Sequence, residues 1–401
     1  MTLSSAEQIR RWRGPALLSY GFRPFFLFGA LWAGFAMIVW IAILASAMSL
    51  PSRFDPVSWH AHAFLFGYLS VIIAGFLLTA VPNWTGRLPV VGWPLGLLTI
   101  LWLAGRVAIL FSAHLLPWLV AVADLSFTIL LGAMILREIV AGKNWRNLTV
   151  LALLAVFTLA NLLYHLEAAW GGYAASGMGI RLGLGAALTM VALVGGRIIP
   201  SFTRNWLVQQ KSVRLPVPPM QRFDKVLVMF SAATLSLWVL LPHHPLTGLA
   251  LILIGVGHLL RLVRWQGILT HAEALVAILH IAYLFVPLGA VAVGAAILWP
   301  DLVSPQAAQH LWMAGAIGTM TLAVMTRATL GHTGHPLHAD RWTIAIYLAI
   351  VGATALRFLA SFVTWPLLVE ASGVLWCIAF FGFVALYGPL LLRQRRRSTA
   401  G

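Results

Sequence analysis

The chain has one cysteine, Cys377, and it lies inside the last apolar run. That excludes an intrachain disulfide and any thiolate cluster, so a metal here is held by histidine, methionine or oxygen. Acidic residues are scarce as well, with 10 Asp and Glu against 26 Lys and Arg, and charged residues make up only 9% of the 401. No glycine pattern for nucleotide phosphates, no serine-nucleophile constellation and no paired-carboxylate site stands out. No basic helix with interleaved polar residues occurs, so the net charge of +16 does not imply nucleic acid as a partner. A cleaved signal peptide is not expected either, because the run 25–48 is too long and no small-residue cleavage pattern follows it.

What is abundant is apolar surface. Hydrophobic residues are 61% of the chain, more than a soluble fold can hide. They fall into runs of about 20 residues, each long enough to cross a bilayer. The pattern predicts an all-α polytopic membrane protein, since open sheets leave backbone groups unsatisfied in lipid. Spans are expected near 22–48, 59–81, 89–111, 117–137, 147–168, 176–199, 222–241, 245–263, 272–299, 307–330, 342–362 and 365–392. A long basic loop is expected over 201–222, and Arg197 and Arg327 are expected to end their helices. Arg10, Arg11, Arg13, Arg87, Arg137, Lys143, Arg146, Arg261, Arg264, Arg341 and the tail RQRRR then fall on one side of the membrane, whereas the other side carries Arg53. By the positive-inside rule both termini are expected in the cytoplasm. Tryptophans at span ends, such as Trp59, Trp84, Trp299 and Trp342, read as an interfacial belt.

An internal repeat is legible. GAALTMVALVGGR (185–197) and GAIGTMTLAVMTR (315–327) match at one constant offset, which also brings Thr203 onto Thr333. The second span joins them, with Gly67 matching Gly185 and Gly315, and Pro82 matching Pro200. Helices 2, 6 and 10 are four apart. The expectation is one transmembrane domain over 1–401, built from three four-helix pseudo-repeats at about 22–140, 145–263 and 271–393. Under the same offsets His62 aligns with His310, and helix 6 has Ile180 in that place.

Thirteen histidines are many for so apolar a chain. Ionisable groups at membrane depth are costly and point to function, and imidazole suits iron and copper. His60, His62, His165, His280, His310 and His332 are the candidate metal ligands. A buried imidazole hydrogen-bonded to a carbonyl is the bland alternative for each, and the favoured one for His258 and His271. His60 and His62 point about 200° apart on a regular helix, so His62 is read as inward and His60 as serving a neighbouring site or a cap. Arg106, Arg181 and Arg357 lie in the outer third of their spans, against the charge trend. Buried guanidinium needs an anion: either haem propionates or one of the carboxylates Asp124, Glu167 and Glu370.

The runs WHAHAFLFGYLSVIIAGFLLTAVPNWTGR (59–87), GGRIIPSFTRN (195–205) and HLWMAGAIGTMTLAVMTRATLGHTG (310–334) resemble the NnrS family over nearly all spans. The resemblance implies a bacterial inner-membrane protein that contains haem b and copper and is made in response to nitric oxide, often in denitrifying bacteria. It implies nitric oxide or a related small molecule as partner, together with an electron donor it does not name, and leaves open whether the chain is an oxidoreductase. The family pattern has glutamate after the second histidine of WHAH, where this chain has Ala63; Asp124 and Glu167 are the carboxylates available to replace it. The architecture is also similar to the large subunit of haem–copper oxidases, which suggests His62 and His310 as an axial pair on haem b, with Arg106, Arg181 and Arg357 on its propionates. The alternative is a histidine-lined transporter or permease for copper, haem or a nitrosyl–iron species.

Overall fold

A computed structural model describes residues 12–86, 89–363 and 365–393. Arg10, Arg11, Arg87 and the tail beyond Arg393, which enter the topology argument, lie outside the described residues. All regular structure among the described residues is helical. The helices are α1 (Phe22–Leu44), α2 (Pro56–Pro82), α3 (Trp93–Leu110), α4 (Pro117–Ala141), α5 (Leu148–Ala169) and α6 (Met178–Gln209). They continue with α7 (Arg222–Leu240), α8 (Pro245–Val263), α9 (Ala274–Leu298), α10 (305–333), α11 (Arg341–Leu359) and α12 (Pro366–Leu392). Eleven of them are long and apolar enough to cross a bilayer. The remaining one, α10, is a continuous helical run that carries His310, Arg327 and His332 among its apolar residues. The chain is a polytopic α-helical membrane protein.

Helix starts follow local chemistry. Asp55 caps α2, its Oδ1 accepting from the N–H of Val57 at 3.0 Å and Ser58 at 2.9 Å, with Pro56 at the first helical position. Ser304 and Pro305 do the same for α10. Gln221 and Asp224 form a reciprocal capping box on α7.

Three features depart from expectation. Helix α6 continues well past Ile199, to Gln209, so the basic loop is shorter than 201–222 and Arg197 does not end its helix. Pro200 removes one backbone donor from within the helix; just beyond it Ser201 Oγ donates to the Arg197 carbonyl at 2.7 Å and Thr203 Oγ1 to that of Ile199 at 2.8 Å. Arg327 is likewise interior to α10, which continues to Thr333. Arg261 is no loop charge: it is fully buried in the last turn of α8.

The spacing of α2 and α10 shows no break, yet both change winding directly after a histidine. A π-helical stretch follows His62 over Ala63–Tyr68, and another follows His310 over Leu311–Gly318. Wider turns aim carbonyls off the helix axis, and such stretches concentrate at functional sites. In α2 the carbonyls find indole donors, Trp32 Nε1 to Ala63 and Trp102 Nε1 to Gly67, both at 2.9 Å.

The chain divides into two compact units. Among the described residues, the first holds those from 12 to 180, 325–337 and those from 380 to 393, and the second those from 181 to 324 and from 338 to 379. Within the first unit α2 is the inner helix. In its most apolar stretch 83% of residues are buried, against 39–44% in α1, α3, α4 and α5, so it is sheathed by protein where they face lipid. Phe25, Phe26, Trp59, Phe66, Trp102 and Tyr164 fill the space around it. Close approach between helices depends on small residues. A methyl group built on Gly105 of α3 would meet Asp124 Cα of α4 at 2.9 Å. Gly105→Val is therefore expected to push α3 from α4 and destabilise the protein by about 1–3 kcal/mol, read as earlier thermal unfolding in detergent. In the second unit α8 packs on α9 across Gly248, Gly255 and Gly294.

Candidate metal centre

Helix α4 is mostly apolar, and Asp124 stands in it with only 3% of its surface exposed. A buried carboxylate needs partners, and three helices supply them. Arg106 of α3 donates from Nη2 to Asp124 Oδ1. From α5, Asn161 Nδ2 donates to Oδ2 at 2.8 Å, and His165 Nε2 lies 3.0 Å from the same atom. From α2, His62 Nε2 lies 3.1 Å from Oδ2 and 3.0 Å from Asn161 Oδ1. Asn161 and His165 share a face of α5, being four residues apart. All five side chains are buried.

The arrangement over-subscribes one atom. Three nitrogens crowd Asp124 Oδ2, which has two lone pairs. Two imidazole nitrogens and a carboxylate oxygen all lie within 4.8 Å of one another, the donor set of a metal ion. Bonds of 2.0–2.1 Å at tetrahedral angles place ligand atoms about 3.3 Å apart. The two His–Asp separations, 3.1 and 3.0 Å, are already close to that. A cation between these atoms replaces the protons that would otherwise compete for Oδ2. The residues therefore fit a single metal ion.

Aromatic rings seal the cluster. Phe54 packs 5.6 Å from His62 and 5.7 Å from His165, and Phe66 5.4 Å from His62, centroid to centroid. Tyr164 is held in place by its hydroxyl donating to the Ser58 carbonyl at 2.7 Å. Beside His165 lies a cavity of about 10 Å³, walled in part by Arg53, Phe54 and Ser112, with room for about one water.

The other expected ligands have other partners. His60 stacks on Trp40 at 4.3 Å, on a different face of α2 from the cluster. His332 packs against Tyr20 and Phe22 in the first unit, at 5.3 and 5.4 Å. His310 belongs to the second unit, and its Nδ1–H donates to the Gln306 carbonyl at 2.7 Å. Arg357 lies within electrostatic reach of His310, and Arg181 Nε donates to the Val239 carbonyl at 3.4 Å. His280 Nε2 donates to Thr203 Oγ1 at 2.8 Å, while its buried Nδ1 makes no hydrogen bond. Of the two anions open to Arg106, the one in contact is Asp124. Asn161 was not anticipated, although its spacing from His165 marks one polar face on an apolar helix.

The second unit holds its own buried polar cluster. Arg261 Nε donates to Asp224 Oδ1 at 2.7 Å, and Nη1 donates to Tyr283 Oη at 2.7 Å. Arginine only donates, so the Tyr283 hydroxyl donates onward to His258 Nδ1 at 2.9 Å, and His258 Nε2–H donates to Ser231 Oγ at 2.9 Å. Ser231 ends the chain on the Leu227 carbonyl at 2.7 Å. His258 is thus a satisfied core imidazole, as its surroundings in sequence suggest.

Fold and site together define a multi-pass helical membrane protein with a buried two-histidine, one-carboxylate centre. The family model described as NnrS protein matches residues 16–395, and the chain belongs to that family. No curated protein matches it.

Proposed function

We propose that this chain is a haem b- and copper-containing protein of the nitric oxide response, acting on nitric oxide or a related nitrogen oxide from a bacterial inner membrane with both termini in the cytoplasm. Family membership supports the reading, and the convergence of His62, His165 and Asp124 carries it. Copper is assigned to that trio. Haem b is assigned to His310, whose ring is oriented by the Nδ1–H bond to the Gln306 carbonyl, with Arg357 as the nearby cation for a propionate. Bound copper and haem supply one-electron chemistry and a coordination position for a diatomic ligand. The protein's part is to orient and to exclude. Asn161 and Arg106 hold the carboxylate in one rotamer, and Phe54, Phe66 and Tyr164 keep lipid and bulk water from the imidazoles.

Ala63, where the family pattern has glutamate, fits this assignment. Glu167 is committed to the start of α6, accepting from the N–H of Met178 at 2.6 Å and Gly179 at 3.2 Å. Asp124 is the carboxylate that stands between the histidines.

The test is the purified protein from cells replete in haem and copper. A Soret band that shifts with nitric oxide, together with stoichiometric copper, is expected. His62→Ala and His165→Ala should each lower copper affinity at least about tenfold and leave the Soret band in place, whereas His310→Ala should remove it. Absence of both cofactors from the wild-type protein refutes the reading. Metal that exchanges freely and crosses vesicle membranes would favour a permease instead.

A further inference from the structure

We propose that Arg106 sets the oxidation state of the metal held by His62, His165 and Asp124, favouring the lower-charged ion. This rests on the metal reading above. The guanidinium donates to Asp124 Oδ1 while the imidazoles gather at Oδ2, so the two ends of one carboxylate serve a fixed cation and the metal. With neutral imidazoles and a neutral Asn161, the Arg106–Asp124 pair brings no net charge to the site. A cuprous ion then leaves one uncompensated positive charge and a cupric ion two. Arg106 and Asp124 are 4% and 3% exposed, so solvent screens little of this difference.

Ligand type argues the other way. Two imidazoles and a carboxylate, with no thiolate or thioether in the donor set, suit the cupric ion. The fixed positive charge is therefore the deciding influence, and the fold goes to some length to place it. Gly67 lies in the π-helical stretch of α2, and a side chain there would collide with Arg106 Nη1. Trp32 lies against the guanidinium, 5.9 Å from its carbon to the ring centroid, and its Nε1 is bound to the Ala63 carbonyl at 2.9 Å. Arginine suits this position because it keeps its charge when buried, where lysine loses a proton readily.

The test is redox titration of the copper-loaded, full-length protein in detergent, followed by the cupric EPR signal. Arg106→Gln is expected to raise the preference for Cu(II) over Cu(I) at least tenfold, a fall of about 59 mV in midpoint potential for a one-electron couple. Gly67→Ala, which keeps the charge but displaces it, is expected to move the midpoint in the same direction by less, and it supplies the answer if Arg106→Gln does not assemble. Copper content near wild type with an unmoved midpoint in either variant overturns the proposal and leaves the metal site standing. Absence of copper from the wild-type protein overturns the site itself.

Discussion

Asp124→Ala is expected to remove copper from the centre and to destabilise the protein by about 3–5 kcal/mol, the range for breaking a buried ion pair and stranding the surviving charge. The stranded group is Arg106, 4% exposed and without a second carboxylate among its hydrogen-bond partners. Two losses are combined here, and a double variant separates them. Asp124→Ala with Arg106→Met removes the charge as well as its partner and should recover most of the stability, because apolar replacement of a buried pair is often neutral. It should recover no copper, since the oxygen assigned to the metal in the proposal is gone. Copper analysis and thermal unfolding in detergent read the two quantities independently. Asp124→Ala protein with full copper and wild-type stability would contradict both the ligand assignment and the ion pair.

Arg261→Met should cost as much, about 3–5 kcal/mol, and no metal. It strands Asp224, 1% exposed, and deprives Tyr283 Oη of its donor. Arg261, Asp224 and Tyr283 belong to the second unit, while His62, Asp124 and His165 belong to the first. Copper bound per folded molecule is therefore expected to be unchanged. Adding Asp224→Leu should restore most of the loss, short of about 1 kcal/mol for the α7 cap, where Asp224 Oδ2 accepts from the Gln221 N–H at 2.9 Å. Equal instability of the single and double variants would show that the pair is not the source of the loss.

These two variants also mark what was legible in advance. His62 and His165 stand out in sequence because imidazole is expensive at membrane depth, and Asp124 because its span is otherwise apolar. Their meeting is not legible. The residues are far apart along the chain, and only the packing of α2, α3, α4 and α5 makes one oxygen the target of three nitrogens. Arg261 was misplaced for a related reason. At a helix end a basic residue is free to snorkel to water, and it takes Asp224, Tyr283 and the Ala192 carbonyl to hold this one inside.

The amino-acid order by itself determined the helical, membrane-spanning class and nearly every span, because the cost of unsatisfied backbone in lipid leaves little choice. It also carried the family, through motifs along almost the whole chain. Tertiary structure alone decided which polar residues share a centre, where α2 and α10 take up π turns, and how far α6 runs past Pro200. Those outcomes depend on which neighbouring groups accept a stray carbonyl or a buried charge. Hydropathy and spacing along one helix hold no information about neighbours.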